Sequence, residues 1–140
     1  MEKGIKISAG LVIIENNKIL LEHPTGSKWF GTYSIPKGEI KNGEEPLDAA
    51  LRETEEELGI TLDPDEISKA IGPEIIMYFH PTTRIVYKHV YYYVIYLKNP
   101  IIIDINKLQK EETDWAGFLT KEEAEKRIFG KQTEVLKYLK

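Results

Sequence analysis

Apolar residues cluster in two extended stretches near the start of the chain and predict a β-hairpin. Isoleucine, leucine and valine dominate residues 5–14 and 18–21, and β-branched residues favour strands. Asn16 and Asn17 form a turn-forming pair at the right separation for a hairpin. The chain is therefore expected to begin with two antiparallel strands.

The pattern then loses its periodicity and predicts a long loop from His23 to Gly38. Prolines, glycines and aromatic residues interrupt this stretch, and long loops inside small domains often carry function. Isoleucine, valine and tyrosine predict a second hairpin, with strands at residues 74–79 and 84–97. Shorter strands are predicted at residues 101–105 and 115–119.

Three helices are predicted between and after these strands. The clearest covers Pro46–Leu58, because proline stands in its first turn and Gly59 occupies the position of a C-terminal cap. Thr120 and Glu123 match a capping box for a second helix that continues to about Phe129. A terminal helix is predicted over residues 131–139. Strands and covering helices together predict an α/β (α+β) fold.

Composition indicates one globular domain over residues 1–140. The chain is 41% hydrophobic and 30% charged, and it contains no cysteine. Without cysteine, disulfide scaffolds, thiolate metal sites and cysteine catalysis are excluded. No uncharged run has the length of a membrane span, and no signal pattern opens the chain. We therefore expect a cytoplasmic protein that does not enter membranes.

The net charge of −4 hides a strongly acidic segment. Residues 44–57 carry seven acids and one base, a net charge of −6, which leaves the remainder near +2. On a helical wheel Glu53, Glu56 and Glu57 share one face beside an apolar stripe. Like charges at this spacing cost about 0.2–0.5 kcal/mol per pair. An oxygen-rich site for Mg²⁺ or Mn²⁺ is one interpretation, and a solvated acidic helix is the alternative.

The spacing of residues around these acids resembles the Nudix box, G-x5-E-x7-R-E-U-x-E-E-x-G-U. Gly38 precedes Glu44 by six positions, and residues 52–60 supply the rest of the pattern. The one departure is Thr54, where the family usually has an aliphatic residue. Its hydroxyl is expected to bond to the carbonyl one turn earlier.

The resemblance implies a Nudix-like α/β/α sandwich with a central mixed β-sheet, and it implies a hydrolase that uses Mg²⁺ or Mn²⁺ to cleave a phosphoanhydride bond. The implied metal ligands are the Gly38 carbonyl and the carboxylates of Glu53, Glu56 and Glu57. One of these glutamates could act as a base. Arg52 would hold the glutamates by ion pairing, and Glu44 would brace the loop against the helix.

Many Nudix proteins use one more acid from a late loop as a metal ligand or base. Glu111, Glu112 and Asp114 lie in the corresponding region. We select Glu112 as the candidate catalytic residue, with a solvated loop as the alternative.

The substrate-binding prediction names Lys37, Tyr78 and Arg84. The sequence Pro36-Lys37-Gly38 resembles the opening of the box in dinucleoside polyphosphate hydrolases. Tyr78 of this chain lies about where those enzymes place a tyrosine that stacks on a base. Packing within the sheet is the alternative role for Tyr78. Lys37 and Arg84 are candidate phosphate contacts. The three histidines share no metal-ligand spacing and are expected at the surface or in a substrate loop.

The expected partner is a small nucleotide, and the protein is expected to be a monomer or a homodimer. A near-neutral remainder without a basic stripe argues against extended nucleic-acid binding. Two alternatives stay open. One is a catalytically silent Nudix-like nucleotide sensor, and the other is a hydrolase of nucleoside triphosphates or capped RNA ends.

Overall fold

The structure, a computed structural model, describes residues 4–140, which form six strands and five helical segments. The strands are β1 (Lys6–Glu15), β2 (Lys18–Pro24), β3 (Lys37–Glu39), β4 (Ile67–Phe79), β5 (Val86–Leu97) and β6 (Thr113–Leu119). The α-helices are α1 (Pro46–Leu58) and α2 (Lys121–Arg127), and short 3₁₀ helices cover Pro64–Glu66, Ile105–Lys107 and Gly130–Tyr138. None of these helices is long and apolar enough to span a bilayer.

The strands form one mixed sheet in the order β4-β5-β1-β2-β6, with β3 beside β1. β1 runs parallel to β5, and the other strand pairs are antiparallel. β1 and β2 pair only near their turn, where Asn16 and Asn17 adopt φ angles of 49° and 57°. Beyond the turn the two strands separate. Residues 34–39 enter the gap, where Ser34 bridges to β2 and β3 pairs with β1.

Two apolar clusters lie on opposite faces of this sheet. α1 covers one face, where Ala50 and Leu58 pack with Leu11 of β1. α2 and the 3₁₀ helix at Gly130–Tyr138 cover the other face, where Val12 is buried. The arrangement confirms the expected α/β/α sandwich with a central mixed sheet.

Several sequence predictions need correction. Residues 101–105 form no strand, because Ile101 and Ile103 pack sideways onto the α1 cluster while Ile102 is 91% exposed. The predicted α-helix at residues 131–139 is a 3₁₀ helix, Gly130–Tyr138.

The bounds of other elements also differ from the predictions. β4 begins at Ile67 rather than at residue 74. α2 ends at Arg127, because Ile128 is extended and its backbone N–H closes the helix on Ala124. The predicted loop at residues 23–38 contains the start of β3, which gains its hydrogen bonds only through contact with distant β1.

Candidate active site

Helix α1 is fixed on the sheet by one buried face. Ala50, Thr54 and Leu58 are buried, whereas Leu47 in the first turn is 39% exposed. The Thr54 hydroxyl donates to the carbonyl oxygen of Ala50 over 2.8 Å, which confirms the predicted bond. Gly59 ends the helix at a φ of 68°, and its N–H donates to the backbone carbonyl oxygen of Glu55. The buried face therefore sets the direction in which the acidic face points.

Gly38 lies directly against the carboxyl group of Glu53. A Cβ atom at position 38 would overlap this carboxyl group, so only glycine leaves room for it there. The backbone of Gly38 is held by β3, which pairs with Ala9 of β1. The structure thus brings together Gly38 and Glu53, two residues of the segment that resembles the Nudix box.

Arg52 connects four groups around the acidic face. Its Nε and Nη2 donate to both carboxylate oxygens of Glu44 at 2.8 and 3.0 Å, and Nη2 also donates to the carbonyl oxygen of Glu39 at 3.0 Å. Nη1 donates to Glu53 at 2.7 Å and to Glu56 at 3.2 Å. Arg52 is therefore positioned to orient these carboxylates.

Glu44 braces the loop that leads into α1. Its carboxylate accepts a hydrogen bond from the backbone N–H of Lys41 at 3.0 Å. The side-chain bond from Arg52, followed by the backbone bond from Lys41, lowers the pKa of Glu44 to about 2. Glu44 is therefore held as an anion between the loop and the helix.

Glu57 and Glu22 form a buried acidic pair that the sequence interpretation did not foresee. Glu57 is 3% exposed and Glu22 on β2 is 8% exposed. Burial raises the pKa of Glu57, and the neighbouring carboxyls of Glu22 and Glu53 raise it further. The alternation of side chains in β2 could have indicated Glu22. Leu20 lies on the face that α1 covers, and residues two positions apart in a strand share a face.

The donor types in this site fit a hard divalent cation. Mg²⁺ and Mn²⁺ take carboxylate and carbonyl oxygens, and Oε1 of Glu57 is buried without a hydrogen-bond partner. No group of three acidic or histidine side chains within residues 4–140 is gathered at metal-ligand spacing. Glu53 and Glu56 both contact Nη1 of Arg52 instead. The predicted ligands thus share one neighbourhood, and Arg52 engages two of them.

A cavity of about 410 Å³ lies beside the acidic site. It is lined by three lysines, three aromatic residues and three polar residues: Lys6, Lys37, Lys88, Tyr78, Tyr87, Phe129, Thr32, Ser34 and Gln132. Burial lowers the pKa of Lys88, and the nearby charges of Lys37 and Lys6 lower it further. The charge of Lys37 also acts on Glu22, so the cavity and the acidic site are neighbours.

The structure places two of the three predicted substrate residues in this cavity. Lys37 and Tyr78 line it, whereas Arg84 lies exposed in the turn between β4 and β5, outside the lining. Sequence reasoning missed Lys6, Tyr87 and Gln132. The Gln132 amide is buried and accepts from the N–H of Ile35 at 2.9 Å. The two residues are far apart in the sequence, so no local pattern predicts this contact.

Among the three late acids, the structure separates Asp114 from Glu112. Asp114 contacts Nδ1 of His23 at 2.5 Å. The charge of Glu112 acts on Glu22, so Glu112 is near the acidic pair. His23 itself corrects the prediction of a surface or substrate-loop histidine, because it is 1% exposed and stacks on Trp29 at a centroid distance of 3.8 Å. It anchors the loop that follows β2.

Comparison with known proteins places this geometry in context. The family model described as NUDIX domain matches residues 4–139. The mRNA-decapping protein g5R of African swine fever virus is 34% identical over 100 residues, which are 70% of this chain and 39% of the viral protein. The chain thus spans about two fifths of that relative's length.

Solved structures share the fold. An Ap4A hydrolase of C. elegans, in a binary complex, has a TM-score of 0.69 and 24% identity over 94% of this chain and 93% of its own. The dihydroneopterin triphosphate pyrophosphohydrolase of E. coli has a TM-score of 0.72 and 15% identity, with 97% of each chain covered.

Proposed function

The chain belongs to the NUDIX domain family, and on this premise we propose that it is a divalent-metal-dependent hydrolase. The proposed reaction cleaves a phosphoanhydride bond in a nucleoside diphosphate derivative, and the proposed substrate class is a dinucleoside polyphosphate. One observation carries the proposal: the acidic face of α1 adjoins a cavity lined by Lys6, Lys37 and Lys88. The lysines can bind the anionic phosphate chain, and the carboxylates of α1 can bind the cations beside it.

The proposed cation ligands are the Gly38 carbonyl and the carboxylates of Glu53, Glu56 and Glu57. When bound, a divalent ion supplies a more acidic water and positive charge against the phosphoryl oxygens. Arg52 would keep the carboxylates in position. The water oxygen would bond to phosphorus as a carboxylate oxygen of Glu112 accepts its proton, and the anhydride phosphorus–oxygen bond would break to release the other phosphate group.

The lysine cavity supports binding of a polyphosphate chain. Lys88 is destabilised in its charged form by burial and by Lys37 and Lys6, and a phosphate anion would relieve this repulsion. Its Nζ also lies 5.7 Å from the ring centroid of Tyr78. A nucleoside at this end would meet aromatic surfaces, because Tyr78 and Tyr87 lie with ring centroids 6.3 Å apart.

Truncation of Tyr78 tests the stacking role. We expect Tyr78→Ala to raise KM by about 5- to 150-fold, because stacking of a base on an aromatic ring contributes about 1–3 kcal/mol. Tyr78→Phe keeps the ring and should retain a KM near that of the wild type. Steady-state kinetics measure both values. A wild-type KM in Tyr78→Ala would assign Tyr78 to packing within the sheet instead.

A conservative change at Arg52 tests whether its planar geometry positions the carboxylates. Arg52→Lys keeps the charge but cannot reproduce the bidentate contact with Glu44 together with the contacts to Glu53 and Glu56. We expect kcat/KM to fall about 10- to 100-fold, as for other groups that orient metal ligands. An exposed cation far from the site, replaced in Lys126→Met, provides the control. Equal kinetics in Arg52→Lys and the wild type would exclude a positioning role.

A substrate panel tests the proposed function itself. Purified protein is incubated with Mg²⁺ or Mn²⁺ and dinucleoside polyphosphates, nucleoside triphosphates, sugar nucleotides and ADP-ribose, and the products are separated by chromatography. We expect the highest kcat/KM for a dinucleoside polyphosphate and no turnover in the presence of a chelator. Oxygen-labelled water would identify the attacked phosphorus. Nucleotide binding without any turnover would support the sensor alternative and contradict the proposal.

A capped RNA end is a second candidate substrate. The identity with a viral protein named for mRNA decapping favours it, and a cap joins two nucleosides through a phosphate chain, as a dinucleoside polyphosphate does. A short capped RNA in the same panel separates the two. Preference for the RNA over the free dinucleotide would favour this candidate.

A further inference from the structure

A buried glutamate on β2 faces the acidic helix without a partner for part of its carboxyl group. Glu22 is 8% exposed and its Oε2 has no hydrogen-bond partner, and the same holds for Oε1 of Glu57, which is 3% exposed. The two side chains lie within hydrogen-bonding reach of each other. Two ionised carboxylates offer only acceptors, so the pair requires a shared proton or a cation.

The surroundings of Glu22 compensate its charge only in part. Glu22 is buried next to Glu57, and no hydrogen bond reaches its Oε2, although the charge of Lys37 lies nearby. Buried charges of this kind are costly unless they are paired or bind a metal. A buried carboxylate with one unpartnered oxygen at the edge of a proposed cation site indicates that a further positive charge belongs there.

Hydrogen bonds to neighbouring segments hold the backbone of Glu22 on both edges of β2. Its side chain therefore starts from a fixed position before any metal binds. Its N–H donates to the carbonyl oxygen of Ser34 at 2.8 Å, and its carbonyl oxygen accepts from the N–H of Ser34 at 2.9 Å. On the other edge it stands opposite Ala116 of β6. Rigid sheet positions place site residues more accurately than loops do.

We propose that Glu22 is a further metal-binding residue, whose carboxylate holds a divalent cation together with Glu57. The inference rests on the proposed function, because it adds a ligand to the same site. The other proposed ligands belong to the segment that resembles the Nudix box, whereas Glu22 lies on β2, outside that segment. The ion would then be held between the sheet and the helix rather than at the helix alone.

Metal binding without substrate tests this inference. The protein is stripped with a chelator, and the Mn²⁺ dissociation constant is measured from the electron paramagnetic resonance signal of free Mn²⁺. The variants are Glu22→Gln, Glu57→Gln and, as a control on an exposed position of the same helix, Glu55→Gln. We expect Glu22→Gln to raise the Mn²⁺ dissociation constant by about 10- to 100-fold. Glu55→Gln should stay within about twofold of the wild type.

A merely structural role of Glu22 predicts a different set of results. Glutamine has the same size as glutamate and removes one of two facing carboxylates, so we expect no fall in the Tm of the chelator-treated protein. The increase in Tm that Mn²⁺ causes should shrink. A lower Tm in chelator with Mn²⁺ affinity within about twofold of the wild type would overturn the inference. If Glu22→Gln does not fold, Glu22→Asp should still weaken Mn²⁺ binding at least about fivefold, and wild-type affinity would overturn it.

The same data separate this inference from the proposed function. Loss of Mn²⁺ binding in Glu57→Gln but not in Glu22→Gln would remove Glu22 from the site and leave the proposed hydrolase intact. Failure of the wild-type protein to bind Mn²⁺ at millimolar concentration would contradict both.

Discussion

Replacement of Glu53 or Glu57 by glutamine is expected to lower kcat by at least about 10³-fold while the fold stays intact. Each substitution keeps the side-chain size and removes one charged oxygen ligand of the proposed cation. Loss of metal stabilisation of several kcal/mol corresponds to an effect of this size, because each 1.36 kcal/mol is tenfold in rate. Steady-state and single-turnover kinetics with saturating Mg²⁺ measure the loss.

Glu55→Gln is the matched control for both variants. Glu55 lies on the same helix but is exposed, and its side chain accepts only a 3.2 Å bond from Thr61. Its kcat should be close to that of the wild type. Circular dichroism and Tm establish that all three variants fold. Wild-type rates in Glu53→Gln and Glu57→Gln would remove these residues from the mechanism.

Gly38→Ala is expected to separate activity from stability. The added methyl group would overlap the Glu53 carboxyl group, which is the end of a flexible side chain and can turn aside at small cost. Displacement of a catalytic group by about 1 Å can cost on the order of 10²-fold in rate. We therefore expect kcat to fall about 100-fold with little change in Tm, measured by kinetics and thermal unfolding.

Gly10→Ala provides the contrast. A Cβ at Gly10 would lie 2.7 Å from the carbonyl oxygen of Pro36 and 2.8 Å from the Cβ of Lys37. The first atom belongs to the backbone directly before β3 and the second is fixed to the backbone of β3, so β1 and β3 must move apart and Tm should fall. An equal loss of Tm in Gly38→Ala, or full activity in that variant, would contradict the role assigned to the contact between Gly38 and Glu53.

Local features of the chain predicted the parts of the fold that local physics determines. The bounds of α1 follow from proline in its first turn and glycine at its end, and the structure reproduces them at Pro46–Leu58. The back-bond of Thr54 follows from a hydroxyl on an apolar helical face. The two asparagines predicted the first hairpin because they tolerate positive φ angles.

Features that depend on distant contacts were not predictable in the same way. β3 exists because β1 and β2 separate and admit residues 34–39. Residues 101–105 have the composition of a strand, yet they pair with no strand, and Ile101 and Ile103 pack on the α1 cluster instead. Local propensity gives no information about such competition for partners.

The candidate site likewise contains residues that are close in sequence and residues that meet only through the fold. The acids of α1, Arg52 and Gly38 stand within one segment, so their spacing could be read from the sequence. Glu22 reaches Glu57 from β2, which lies outside that segment. The lysine cavity likewise collects Lys6, Lys37 and Lys88 from three strands of the sheet. Only the sheet order brings these groups together, so the spacing of residues along the chain does not show that they meet.

Anomalous diffraction from crystals soaked in Mn²⁺ tests the central claim most directly. The account predicts a peak within coordination distance of carboxylate oxygens of Glu53, Glu56 or Glu57 and of the carbonyl oxygen of Gly38. The peak should vanish in Glu57→Gln. Wild-type crystals with nucleotide in the lysine cavity and no peak beside α1 would contradict it.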